Sequence, residues 1–285
     1  MRRHAILFVL FVGLSATFHG NTASAHFLFL RIGTHAEAGR SAEVYFSEYA
    51  HAGDARFIEK IKPTKLDLQE TPGKFQPLVV KPGTDRLRAF LPSSGSVSVG
   101  GELVYGVLKR DVSFLLRYHP KGVAGTPDKL NAMSPRKGAP LEIVASWSEK
   151  GVTLTALRNG KPVPGAVFTT VDSDLVNEEL KADKNGHVTW KPDAAGQYCV
   201  YTRATTKQAG EHKGKSYTEI RDFATLCFNW PLGRSGADEK PLPCSRRQLP
   251  NGRFGRTCPV SPPRLPAMLT GEDLKEPRGS ILTEN

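Results

Sequence analysis

Gly160-Lys-Pro-Val-Pro-Gly-Ala-Val-Phe168, Ala182-Asp-Lys-Asn-Gly-His-Val188 and Ala195-Gly-Gln-Tyr-Cys-Val-Tyr201 are three stretches in which a turn hands over to a strand. Asp183 and Gly186 suit a tight turn with one left-handed residue, because glycine has no Cβ to clash there. In the last stretch Tyr198 and Val200 alternate with Cys199 and Tyr201, the period-2 pattern of a strand with two different faces. The same grammar repeats outward. Strand-like segments occur at His26–Ile32, Ala42–Phe46, Lys65–Leu68, Gln76–Val80, Arg86–Leu91, Ser96–Val99, Leu103–Leu108 and Ser113–Tyr118. Pro72-Gly73, Pro82-Gly83 and Ser94-Gly95 separate them. Many short strands with turn signals every 8–12 residues or so predict an all-β chain of sandwich type rather than a parallel sheet.

One helix is expected between Asp54 and Ile61. Phe57, Ile58 and Ile61 fall at helical spacing behind an Asp54 cap, and Pro63 closes the segment. Residues 120–140 carry Pro120, Gly122, Gly125, Pro127, Pro135, Gly138 and Pro140, which breaks the pattern and predicts a connector. Two sandwich units in tandem are expected, 26–120 and 141–230, joined by a linker at 121–140. From Pro231 apolar periodicity disappears and Pro259, Pro262, Pro263 and Pro266 accumulate, so 231–285 is expected to be a largely disordered tail.

The first 25 residues read as a secretion signal. Arg2 and Arg3 precede an apolar run from Ala5 to Leu14, and Ala23 and Ala25 are the small residues before a cut. Cleavage after Ala25 leaves 260 residues, lowers the formal charge from +11 to +9, and makes His26 the mature amino terminus. No later apolar run has the 18–20 or so residues of a membrane helix, so the expected product is periplasmic or secreted without a membrane span. The basic residues are scattered, with a local excess at Arg246, Arg247, Arg253 and Arg256. No basic strip is interleaved with aromatics, which argues against nucleic acid. Four cysteines, Cys199, Cys227, Cys244 and Cys258, are compatible with disulfides in an oxidising compartment. Cys199 and Cys227 lie in separate strands where a cross-strand bridge fits, and Cys244 and Cys258 could close a loop in the tail.

Catalytic signatures are missing: no Gly-x-Ser-x-Gly elbow, His-Glu-x-x-His, phosphate loop or EF-hand run occurs. Asp172, Asp174, Glu178 and Glu179 read as a solvated surface. An enzyme is not expected. The histidines carry the remaining chemistry. A terminal His26 offers an α-amine and an imidazole to one ion through a six-membered chelate ring, provided both are unprotonated. Glu48 and His51, just after the strand Val44–Phe46, and His119, at the end of Phe114–Tyr118, are the candidate further ligands. Nitrogen donors of this kind suit Ni²⁺, Co²⁺ and Cu²⁺ alike. His35, His187 and His212 read as solvated.

The Gly160–Tyr201 series resembles the prealbumin-like and carboxypeptidase-regulatory-like modules of exported proteins, which implies an immunoglobulin-like or prealbumin-like sandwich and says little about chemistry. The mature start Ala25-His26-Phe-Leu-Phe-Leu30, the segment Gly39–Phe46, Arg117-Tyr-His-Pro-Lys121 and Asp222-Phe-Ala-Thr-Leu226 add a second likeness over residues 26–230. Together they are similar to a bacterial exported domain-of-unknown-function family, annotated in part as the periplasmic component of nickel or cobalt uptake. The resemblance implies an ion held by the amino-terminal histidine and passed to a membrane transporter. Transport-associated members carry His-Pro where this chain has Ser47-Glu48-Tyr49. Their strand-end histidine corresponds to His119 only with a one-residue shift, which reverses the side-chain face of a strand. A non-catalytic cell-envelope binding or adhesion module, with a carbohydrate or protein ligand, is the competing expectation. An amino-terminal histidine also resembles the copper site of oxidative polysaccharide-cleaving enzymes, but no flat array of surface aromatics accompanies it here.

Overall fold

The structure, a computed structural model, describes residues 26–35, 39–48, 50–51, 53–92, 95–171 and 178–233, and the backbone of 245–248 and 254–257. The expected signal, Asp172, Asp174, Cys244 and Cys258 lie outside the described residues. The chain is mostly β, with strands in several sheets. Local chemistry explains much of it. Asp183 Oδ1 accepts the N–H groups of Asn185 (2.8 Å) and His187 (2.9 Å), and Gly186 sits at φ +85°. Asn159 and Gly160, both at positive φ, make the two-residue turn whose twist suits a hairpin. The Asp54 carboxylate accepts the Arg56 N–H at 2.9 Å and caps a 3-10 turn that runs into helix α1 (Ile58–Ile61). That short helix buries Ile58 and Ile61, as its spacing predicts.

Four strands make a first sheet in the order β1 (Phe27–His35), β2 (Gly39–Ser47), β6 (Leu87–Phe90) and β5 (Lys81–Pro82). A smaller sheet is built on β10 (Gly151–Arg158). One edge of β10 pairs with β9 (Leu141–Ser148), the other with β11 (Lys161–Pro162) and β14 (His187–Trp190). Eight strands form the third sheet. It begins with β13 (Glu179–Lys181), β12 (Val167–Val171), β15 (Gly196–His212) and β16 (Lys215–Trp230). It continues with β8 (Ser113–Ala124), β7 (Val97–Lys109), β3 (Lys65–Thr71) and β4 (Lys74–Leu78).

The junction in this sheet is β16 beside β8, paired in parallel from Glu219–Phe114 to Cys227–Gly122. Every other strand pair in the described residues is antiparallel. Residues 121–140, read from sequence as a connector, hold the last turns of β8's ladder and helix α2 (Pro127–Asn131).

Two large apolar clusters follow from strand alternation. Leu28, Leu30, Val44 and Phe46 join Leu66, Leu68, Val99, Phe114 and Tyr118 in the first. Ile143, Trp147, Val152 and Leu154 join Phe168, Val200, Leu226 and Phe228 in the second. Strand β1 feeds a third cluster with its other face, where Phe29 packs with Ala50, Val171, Cys199 and Cys227. Leu28, Phe29 and Leu30 are all fully buried. Cys199 and Cys227 are register partners and form a disulfide, as expected. Residues up to 238 form one compact unit. In the separate unit 239–285, β17 (Ser245–Gln248) pairs antiparallel with β18 (Phe254–Thr257).

Candidate functional site

The β1–β2 ladder decides what surrounds His26. Phe27 pairs with Ser47, so the start of β1 lies beside the end of β2, where the 48–53 loop departs. That loop folds back on the strand it leaves. Ser47 Oγ donates to the His51 carbonyl at 3.0 Å, and Arg31 Nη1 donates to the Ala50 carbonyl at 3.1 Å. Gly53 approaches so closely that a Cβ there would lie 2.4 Å from the Phe46 carbonyl. The His26 ring packs between Phe46 and Phe57, at centroid separations of 5.5 and 5.0 Å. Its carbonyl accepts the Tyr118 hydroxyl at 3.0 Å. Glu48 is half-buried and His51 exposed on the same rim.

Asp54 is the carboxylate of this rim that sequence reading treated only as a helix cap. Its pKa is pushed down to about 2, first by hydrogen bonds from the Arg56 guanidinium and backbone, with a further small effect from His26. The signal was present in the sequence, six residues after Glu48, but the cap reading absorbed it.

His119 goes elsewhere. Tyr118 and His119 are consecutive on β8 and therefore face opposite sides of the sheet. Tyr118 reaches His26; His119 Nε2 meets Asp222 Oδ1 at 2.8 Å. Arg117 Nε and Nη2 clamp the two oxygens of the same carboxylate at 2.8 and 2.9 Å. Burial pushes the Asp222 carboxyl up, but hydrogen bonds from His119 and Arg117 outweigh it and leave it below its ordinary range. His119 is 6% exposed and its Nδ1 has no hydrogen-bond partner. Among the described residues no three His, Cys, Asp or Glu side chains come close enough to share an ion. In the unprocessed chain the His26 nitrogen is part of a peptide bond and is no donor.

A second polar cluster was not anticipated. Glu43, 4% exposed on the outer face of β2, accepts from the Tyr45 hydroxyl, from Arg86 at 3.2 Å and from Arg88 at 2.7 Å. His35, expected to be solvated, is also bonded to it at 3.0 Å. Burial works against the Glu43 charge, but Tyr45 and the two arginines lower its pKa; Tyr45 itself is raised by burial and by Glu43. This arrangement neutralises a buried charge. His187 bonds to Thr155 at 2.7 Å beside an exposed turn. No helix is long and apolar enough to cross a membrane among the described residues. Neither a family model nor a curated protein sequence matches this chain.

Proposed function

We propose that the processed protein is an exported, non-enzymatic β protein that holds one divalent transition ion at the rim where β1 begins. The freed amine and ring of His26 supply two nitrogens. Glu48, His51 and Asp54 are the candidate donors near it, of which one would complete the set. The supporting observation is the β1–β2 register: it sets residue 26 against the strand end from which the 48–53 loop returns. His119 is left out of this set, because Asp222 and Arg117 engage it on the other face. Nickel and cobalt are the ions implied by the family likeness, while amine and imidazole donors favour copper on raw affinity. Delivery to a membrane transporter belongs to the same reading. So does the finer architecture, two immunoglobulin- or prealbumin-like sandwiches over 26–120 and 141–230.

The test is a titration of the mature protein with Ni²⁺, Co²⁺ and Cu²⁺, alongside a form carrying one extra residue before His26. Binding of about one ion by the first form, and at least tenfold weaker binding by the second, is the expected result. Equal affinity of the two forms removes the site. Retention on cell-envelope polymers with no ion binding would favour the adhesion-type module instead.

A further inference from the structure

The most exposed large apolar side chains among the described residues are Val79, 76% exposed, and Phe90, 51% exposed. They flank one short ladder. Strands β5 and β6 pair as Lys81–Arg88 and Pro82–Leu87, so two steps further along the same offset Val79 stands opposite Phe90. Alternation sets their direction. Leu87 and Ala89 are buried in the first cluster and Val80 packs against it. Their neighbours Val79, Lys81, Arg88 and Phe90 are therefore turned to the outer face of the four-strand sheet. Lys81 is exposed there, and Glu43 fixes Arg88 beside it by accepting from Nε at 3.1 Å and Nη2 at 2.7 Å. The mostly exposed stretch 74–84 adds Lys74 and contains no acidic residue.

Both strand edges in this stretch are poor templates for a further strand, because each holds a proline, Pro77 in β4 and Pro82 in β5. What this face offers a partner is side chains rather than backbone. Two apolar side chains fall far short of the roughly 800 Å² that each partner covers in a stable protein complex. A bilayer surface needs less: a few apolar side chains at the acyl boundary and cations beside the headgroup phosphates. The formal charge of +11 favours an anionic surface. We infer that the Val79–Phe90 face, with Lys81 and Arg88 beside it, docks reversibly on an anionic phospholipid surface. Phe90 pairs with Ser41, near the opposite end of β2 from the Ser47 that pairs with Phe27, so this face is separate from the rim at His26.

The experiment uses the full mature chain with chelator present, so that an ion at His26 plays no part. Co-sedimentation with phosphatidylglycerol–phosphatidylcholine vesicles should weaken as salt is raised, and phosphatidylcholine vesicles alone should retain none. The V79S/F90S variant should lose at least about tenfold in vesicle affinity, and K81A about fivefold. Both should keep the wild-type unfolding midpoint, because the side chains removed are exposed. V104S/V167S removes two exposed valines elsewhere and should bind as wild type. Undiminished binding by V79S/F90S or K81A, an equal loss in V104S/V167S, or capture by an acidic protein or polysaccharide with none by vesicles would each overturn the inference.

Discussion

Asp222, which the sequence marks only as the first residue of a short motif, is the centre of a buried ion cluster. Its two partners, Arg117 and His119, lie more than a hundred positions away, and only the β8–β16 pairing brings them together. His119 was legible as a polar residue at a strand end; its partner was not, because nothing local marks a cross-sheet neighbour. His26 stood out in the sequence because the reading of a cleavage site before it makes it a candidate amino terminus, whereas Asp54 was hidden behind its capping role. Asp222 has a folded pKa below its unfolded value. The unfolded chain therefore takes up the proton first as pH falls. The stability it contributes is complete above the ordinary carboxylate range and is lost as pH drops through the lower folded value. Replacing it with Asn leaves the Arg117 guanidinium without its paired carboxylate, at a cost of about 3 kcal/mol at pH 7. Urea unfolding of wild type and Asp222→Asn at pH 7 and pH 3 checks this. The gap between the two proteins should shrink at pH 3, and a constant gap would show that the ion cluster is not its source.

At the scale of elements, β1 was expected only as a strand-like segment, and Leu28, Phe29 and Leu30 are all fully buried, because β1 lies against β8 and β16 as well as pairing with β2. Phe27, Phe29 and the Arg31 stem are apolar enough for either environment, so composition alone could not decide. The turns were legible, since Asp183, Gly186 and the Asn159-Gly160 pair each solve a local backbone problem. The parallel β8–β16 pairing was not, because it joins segments whose separation exceeds any turn signal. Its closest approach is testable. Thr225 Oγ1 donates to the Leu28 carbonyl at 2.8 Å, and a Cβ on Gly122 would lie 2.5 Å from both the Leu30 carbonyl and its Cδ2. Gly122→Ala must push β1 off the sheet, and should cost about 1–3 kcal/mol. Gly196→Ala, where the nearest atom would be 4.0 Å away, is the matched control and should stay within about 0.5 kcal/mol. Equal thermal midpoints for the two variants would mean that β1 does not rest on β8 this closely.

Across the molecule, the question is whether the two expected sandwiches behave as two bodies. Their apolar clusters are separate, but both draw side chains from one eight-strand sheet, and β1 packs into the first and third clusters with opposite faces. Peeling one half away would expose the β8–β16 ladder and the Phe29 cluster together, so the residues up to 238 should melt in a single transition. The tryptophans make this measurable. All three, Trp147, Trp190 and Trp230, belong to or pack against the second cluster, so their fluorescence reports only that side. Leu66 is 2% exposed in the first cluster, and Leu66→Ala should cost about 2–5 kcal/mol through lost burial and the cavity left behind. If the sheet couples the halves, tryptophan fluorescence and far-ultraviolet circular dichroism will shift to lower denaturant by the same amount. If the 26–120 unit unfolds alone, dichroism will acquire an early phase while the tryptophan midpoint stays at its wild-type value, and the continuous sheet would then be a seam between two bodies.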